Sequence, residues 1–229
     1  FSGCLTLTLG KTYKHNPEAE QVYIIEPYYP LKVSPHKKIS LIIKSIFSLI
    51  ALPHNLKSYL IISKKMFGNS RIKSLLKAIS FINLYKSYFD KDILIKAQYI
   101  SHNVYEPGFK SEKEKFEYAD ELLKLYANAA LIITSRLHAG LPGLSMGTPT
   151  IFINNEFYQD PNNKMSPGRF EGLIEYMNVF NCDDKKLIPD GNFFKGKINR
   201  SNIPKNKMDY KTIADDLATR SEIFVRENK

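Results

Sequence analysis

Between Asp90 and Ile153, apolar runs too short for helices alternate with stretches of helical period, and this alternation limits the fold of the 229-residue chain more than any other feature. Ile93 to Ile100 reads as an apolar strand. Ser111 followed three residues later by Glu114 is a capping box, and Phe116, Ala119, Leu122, Leu123 and Tyr126 fall on one helical face behind it, with Asn128 as the stop. Ala129 to Thr134 is a buried-type strand; a short helix then runs to about Met146, Gly147 ends it, and Thr150 to Ile153 is the next strand. Strand, helix, strand, helix, strand predicts an α/β fold with a doubly wound parallel sheet, in which ligands bind beyond the carboxyl ends of the strands. Val22 to Ile25 adds a strand that stops at Glu26-Pro27, and Cys4 to Leu9 alternates with period two and reads as another. A helix near Phe170 to Asn178 and a terminal amphipathic helix showing Ile213, Leu217 and Phe224 complete the pattern.

A hydrophobic content of 43% and a charged content of 24% are those of a folded globular chain, which excludes disordered and collagen-like classes. The net charge of +10 admits an anionic partner, and it is local: Lys32 to Phe89 holds 11 Lys/Arg and no Asp or Glu, so the remainder is close to neutral. In that segment lysines punctuate apolar clusters, which suits two or three helices. Such a segment fits peripheral contact with a membrane, or a core, better than nucleic acid, because aromatics at regular spacing are few. Cys4 and Cys182 are far apart and join no Cys/His cluster, so no metal site is expected and a reducing compartment is the default. No apolar run is long enough to span a bilayer, Ile39 to Leu52 being broken by Lys44.

The segment Thr134 to Pro149 carries the chemistry. Pro142 lacks a donor and is best tolerated in a first helical turn, so the helix is expected to start near His138 to Gly140. Ser135, Arg136, Leu137 and His138 then occupy the turn between a strand's carboxyl end and a helix N-terminus, where free N–H groups favour anions. Arg136 adds a planar fork for phosphate or carboxylate, and His138 an imidazole able to move a proton. Gly140 and Gly143 would let the helix lie close on the sheet. The competing reading is that Arg136 pairs with a structural carboxylate and His138 is a packing residue.

Four segments bear a family resemblance: Ser-Gly-Cys-Leu-Thr-Leu-Thr-Leu at 2–9, Tyr-Ala-Asn-Ala-Ala-Leu-Ile-Ile-Thr-Ser-Arg-Leu-His at 126–138, Gly-Thr-Pro at 147–149 and Arg-Phe-Glu-Gly-Leu at 169–173. In this order they resemble the polysaccharide pyruvyl transferase family. The resemblance implies a transferase that moves the enolpyruvyl unit of phosphoenolpyruvate onto sugar hydroxyls of a polysaccharide or its lipid-linked precursor, forming a pyruvate ketal. It implies a Rossmann-like domain, the C-terminal half of a GT-B-like two-domain architecture. Residues 1–20 would be the end of an N-terminal domain whose upstream part is missing, and 21–229 the C-terminal domain with a basic helical insertion at about 32–89. By the same resemblance Arg136, Leu137 and His138 contact phosphoenolpyruvate, and the helix N-terminus read above adds the backbone amides of Leu137 and His138 to the expected hold on it. His138 and Arg136 are the expected catalytic residues, with Ser135 in the binding turn and Arg169 as a second clamp or an ordinary surface arginine. No cofactor beyond this donor is implied, and the expected location is cytoplasmic, peripheral to the inner face of the membrane.

Other motifs lead elsewhere. Gly10-Lys11-Thr12 lacks the upstream glycine of a phosphate-binding P-loop, where Leu5 stands. Asp90-Lys91-Asp92 has the form of a sugar-nucleotide cation site but sits at a strand entrance, where two carboxylates are usually solvated. His102 follows a strand end and is read as a loop histidine; His15, His36 and His54 belong to no constellation. The alternatives are a glycosyltransferase on the same scaffold, with a sugar nucleotide's diphosphate at Arg136, and a non-enzymatic basic module that binds anions or membranes.

Overall fold

A computed structural model describes residues 4–30, 42–43, 45–47, 55–101, 108–154, 172–182 and 186–228. Among these residues six strands form one sheet: β1 (Val22–Ile25), β2 (Gln98–Ile100), β3 (Leu131–Thr134), β4 (Thr150–Asn154), β5 (Asn178–Cys182) and β6 (Leu187–Pro189). Their spatial order is β2-β1-β3-β4-β5-β6. The first five run parallel and β6 returns antiparallel to β5, so the sheet is mixed where a purely parallel one was expected. Asp190 N–H, just past β6, still bonds the Val179 carbonyl, as a tight return allows.

The strands are apolar on both faces because both are covered. Val22, Ile24, Leu131, Ile133, Ile151, Ile153 and Phe180 point to one side, and Tyr23, Ile25, Ile132, Phe152 and Val179, alternating with them, to the other. The first face lies under α1 (Leu56–Phe67), α2 (Ile72–Tyr85) and the short α3 (Lys91–Lys96), with Phe193, Phe194 and Ile198 from the later chain. The second lies under α4 (Glu112–Ala127), α5 (Leu137–Met146) and the terminal α6 (Tyr210–Glu227). The basic segment thus does contain helices, and Tyr59, Ile62, Ala78, Ile79 and Phe81 from its apolar clusters are core residues. Each buried Ile or Phe among them contributes roughly 1.5–3 kcal/mol. Lys57, Lys64 and Lys73 stay on the outside.

Several local expectations change. Cys4 to Leu9 is no strand: Leu5–Lys11 is a 3₁₀ helix seated on α5 and α6, with Leu7 buried and Leu5 exposed. Lying on helices, these residues have no ladder partner, so the chain satisfies its own polar groups, Leu7 N–H donating to the Cys4 carbonyl and the Thr8 hydroxyl to that of Leu5. Ile93 to Ile100 divides into α3, which starts behind the Asp90 N-cap and takes up Ile93 to Lys96, and the three-residue β2, which pairs with Tyr23, Ile24 and Ile25. Of the helix expected near Phe170 to Asn178, Phe170 and Glu171 lie outside the described residues, the remainder holds a 3₁₀ turn at Ile174–Tyr176, and Asn178 already begins β5. The helix α4 has the expected cap, the Ser111 hydroxyl accepting from Glu114 N–H, and ends at Asn128. Its outer residues Phe116 and Ala119 are exposed, however, as is Phe224 of α6, because only the inner turn of each helix reaches the sheet.

Candidate functional site

The strand succession reverses at β1, which has β2 on one side and β3 on the other, and the crevice beyond the carboxyl ends of these strands is where such sheets bind ligands. Register makes it level: Ile25 pairs with both Ile100 and Thr134. The next residues, Ser101, Glu26 and Ser135, therefore stand in a row across three strand ends. Hydrogen bonds join them, the Ser101 hydroxyl donating to Glu26 Oε1 at 2.6 Å and the Ser135 hydroxyl to the Glu26 carbonyl at 2.5 Å. Glu26 is 8% exposed and has φ 45, a left-handed conformation that a non-glycine residue adopts only when its surroundings over-determine it.

From Ser135 the chain enters α5. Arg136 is the N-cap, its carbonyl accepting from Ala139 and Gly140 N–H, while its own N–H donates to the Thr134 hydroxyl at 3.0 Å. The helix begins at Leu137, one residue earlier than expected, and Pro142 falls in its second turn. Pro142 has no N–H for the His138 carbonyl, a cost that close packing offsets. The packing is tight: a Cβ on Gly143 would stand 2.7 Å from Ile132 Cδ1 and 2.8 Å from Thr150 Oγ1, and one on Gly140 3.1 Å from Met177 Sδ. Gly147, at φ 89, closes the helix in the left-handed cap that glycine favours.

The expected site residues separate by environment. The Leu137 side chain is buried against Leu7, Leu141 and Phe152, so only its amide faces the crevice end of the helix. His138 is exposed and has no hydrogen bond or ion pair among the described residues, so it is not a packing residue. The Arg136 side chain is 52% exposed, and its guanidinium approaches Glu26 Oε2 at 3.8 Å. Glu26 is thus the carboxylate of the structural reading, but the gap is too long for a hydrogen bond and the exposed fork is not locked. Arg169 and His102 lie outside the described residues, as do His36 and His54.

The remaining motifs are structural. His15 Nδ1 lies 3.3 Å from the Ala127 carbonyl, at the opposite end of the sheet. Lys11 pairs with Asp215 and Asp92 with Lys96, both pairs exposed. No cluster of potential metal ligands occurs among the described residues, and no described helix is long and apolar enough to cross a membrane. Sequence reasoning passed over Glu26 and Ser101; the only local sign was a carboxylate followed by proline at a strand end, and only the register of β1, β2 and β3 unites them.

A family model for polysaccharide pyruvyl transferase matches residues 1–156, about two thirds of the chain, including all three strand ends and the Ser135 to His138 turn. The chain belongs to the polysaccharide pyruvyl transferase family. The match also runs through the basic helices α1 and α2, which the transferase uses to cover one face of its sheet, and it stops short of Arg169. No curated protein and no solved structure matches this transferase chain significantly.

Proposed function

We propose that the protein transfers the enolpyruvyl unit of phosphoenolpyruvate onto two hydroxyls of one sugar of a glycan. The observation that carries this is the turn at the carboxyl end of β3, where an unlocked Arg136, an exposed His138 and the first amides of α5 follow one another at one helix N-terminus. One sugar oxygen bonds to C2 of the donor while the methylene C3 takes a proton and becomes a methyl group. The second sugar oxygen bonds to C2, the C2–O bond to phosphate breaks, and phosphate leaves. Of the two hydroxyl protons, one balances that gained by C3 and the other departs with phosphate.

In this reading the Leu137 and His138 amides and the helix dipole receive an anionic group of the donor, and the Arg136 fork neutralises it. His138 is the acid/base that hands a proton between hydroxyl and methylene carbon. Ser135 and Glu26 hold the turn in place. The sheet would be one half of a two-domain, GT-B-like scaffold, its carboxyl edge facing the acceptor.

The test is ketal formation and phosphate release from phosphoenolpyruvate with a pyruvylatable glycan. His138→Ala should abolish turnover with donor binding retained. Arg136→Ala should raise the donor's KM by roughly 10- to 100-fold, matching about 1.5–3 kcal/mol for a charged hydrogen bond. Undiminished turnover in His138→Ala, or phosphate release only with sugar nucleotides, overturns the reading.

A further inference from the structure

On the far side of Glu26 from Arg136 lies a cavity of about 410 Å³ between the carboxyl ends of β1 and β2 and the helices α1 and α2. Its size is within the roughly 300–1,000 Å³ of small-molecule sites. Three aromatic rings line it, Tyr29, Phe67 and Tyr99, and they are fixed: Tyr29 meets Phe67 edge to face at 5.7 Å, and the Tyr99 hydroxyl donates to the Leu94 carbonyl at 2.8 Å. Two ammonium groups flank the rings. Lys65 Nζ donates to the Ile95 and Ala97 carbonyls at 2.6 and 2.8 Å, which leaves one of its three N–H groups for a ligand. Lys77 Nζ is poised 5.2 Å above the Phe67 ring. Neither lysine has a carboxylate partner among the described residues, and the one carboxylate in the wall, Glu26, is already held by Ser101 and faces Arg136.

We infer that this cavity is the acceptor subsite and that it takes a sugar bearing a phosphate, the ring face against the aromatics and the phosphate between Lys65 and Lys77. Phe67 and Tyr99, both half-buried, present an apolar surface to the C–H face of a hexose with the buried Tyr29 behind them, and lysines bind phosphate as point charges. Glu26 links the cavity to the turn assigned to the donor: it lines the cavity, and its Oε2 lies 3.8 Å from the Arg136 guanidinium. The inference rests on the proposed function for the word acceptor, but the binding itself does not.

The experiment is calorimetric titration of the chain with hexose 1-phosphates, the matching free hexoses, inorganic phosphate and a polyprenyl-diphosphate-linked hexose in micelles. Hexose 1-phosphate should bind more tightly than either of its parts and should not be displaced by phosphoenolpyruvate. Lys77→Ala should weaken it by roughly tenfold or more and Lys77→Arg much less, circular dichroism showing both variants folded. Tighter binding of the lipid-linked form would make the lipid headgroup the source of the phosphate; weaker binding would make it the free sugar phosphate. Equal affinity for inorganic phosphate, displacement by phosphoenolpyruvate, or binding insensitive to Lys77→Ala overturns the inference. Lys77-dependent binding without turnover of phosphoenolpyruvate would defeat the proposed function and leave the subsite standing; turnover with Lys77-independent binding would do the reverse.

Discussion

Glu26 holds a backbone conformation that costs a non-glycine residue about 1–3 kcal/mol, and it does so at the point where β1 leaves the sheet. Its carboxylate and carbonyl are gripped by Ser101 and Ser135, so the side chain is retained against its backbone preference. Glu26→Gly loses the Ser101 bond and the approach to Arg136 but relieves the left-handed residue. It should therefore unfold in urea within about 1 kcal/mol of the parent while ketal formation falls sharply. A stability loss well beyond that would mark the carboxylate as a purely structural group. Gly143 is the opposite case, a residue kept for what it lacks. Gly143→Ala should cost about 1–3 kcal/mol in the same assay, because both atoms its Cβ would meet are on fully buried residues and the Thr150 hydroxyl is tied to the Thr148 carbonyl.

Among the elements, α4 was fully legible because its ends are written in local chemistry. The Ser111 hydroxyl accepts from Glu114 N–H at 3.2 Å, and Glu114 Oε2 reaches back to Lys110 N–H at 2.7 Å. Ser111→Ala should lower stability by about 1 kcal/mol by urea denaturation, with Ser111→Asp close to the parent. The strands β1, β3 and β4 were legible for a different reason: buried on both faces, they are continuous apolar runs. Leu5–Lys11 was misread because alternation speaks only of a face, and whether a ladder partner exists is a matter for the rest of the molecule. The strand β5 escaped notice because Asn178 and Asn181 interrupt the apolar pattern, and β6 because it is only three residues long and ends in proline. Asn178 Nδ2 donates to the Lys205 carbonyl and Asn181 Oδ1 accepts from Asn154 Nδ2, bonds to distant chain that a sequence does not display.

For the molecule as a whole, the concentration of positive charge in one segment coincides with one structural task. The helices α1 and α2 turn most of their apolar residues to the sheet, Leu56, Leu60 and Ile72 excepted, and most of their lysines outward, so the segment is the cover of a face as well as a source of charge. Phe81→Ala should cost about 3–5 kcal/mol of global stability, measured by urea unfolding, because the ring is fully buried and stacked 4.3 Å from Tyr85. A loss below 1 kcal/mol would show that the basic helices fold apart from the sheet. Fold class and the Arg136 to His138 turn were determined by the sequence alone, since hydrophobic period, capping residues and a proline act over a few neighbours. The sheet order, the row of Ser101, Glu26 and Ser135, and the cavity between Lys65 and Lys77 were decided only by tertiary structure. They depend on register between strands up to about a hundred residues apart, and no local pattern encodes which strand ends come level.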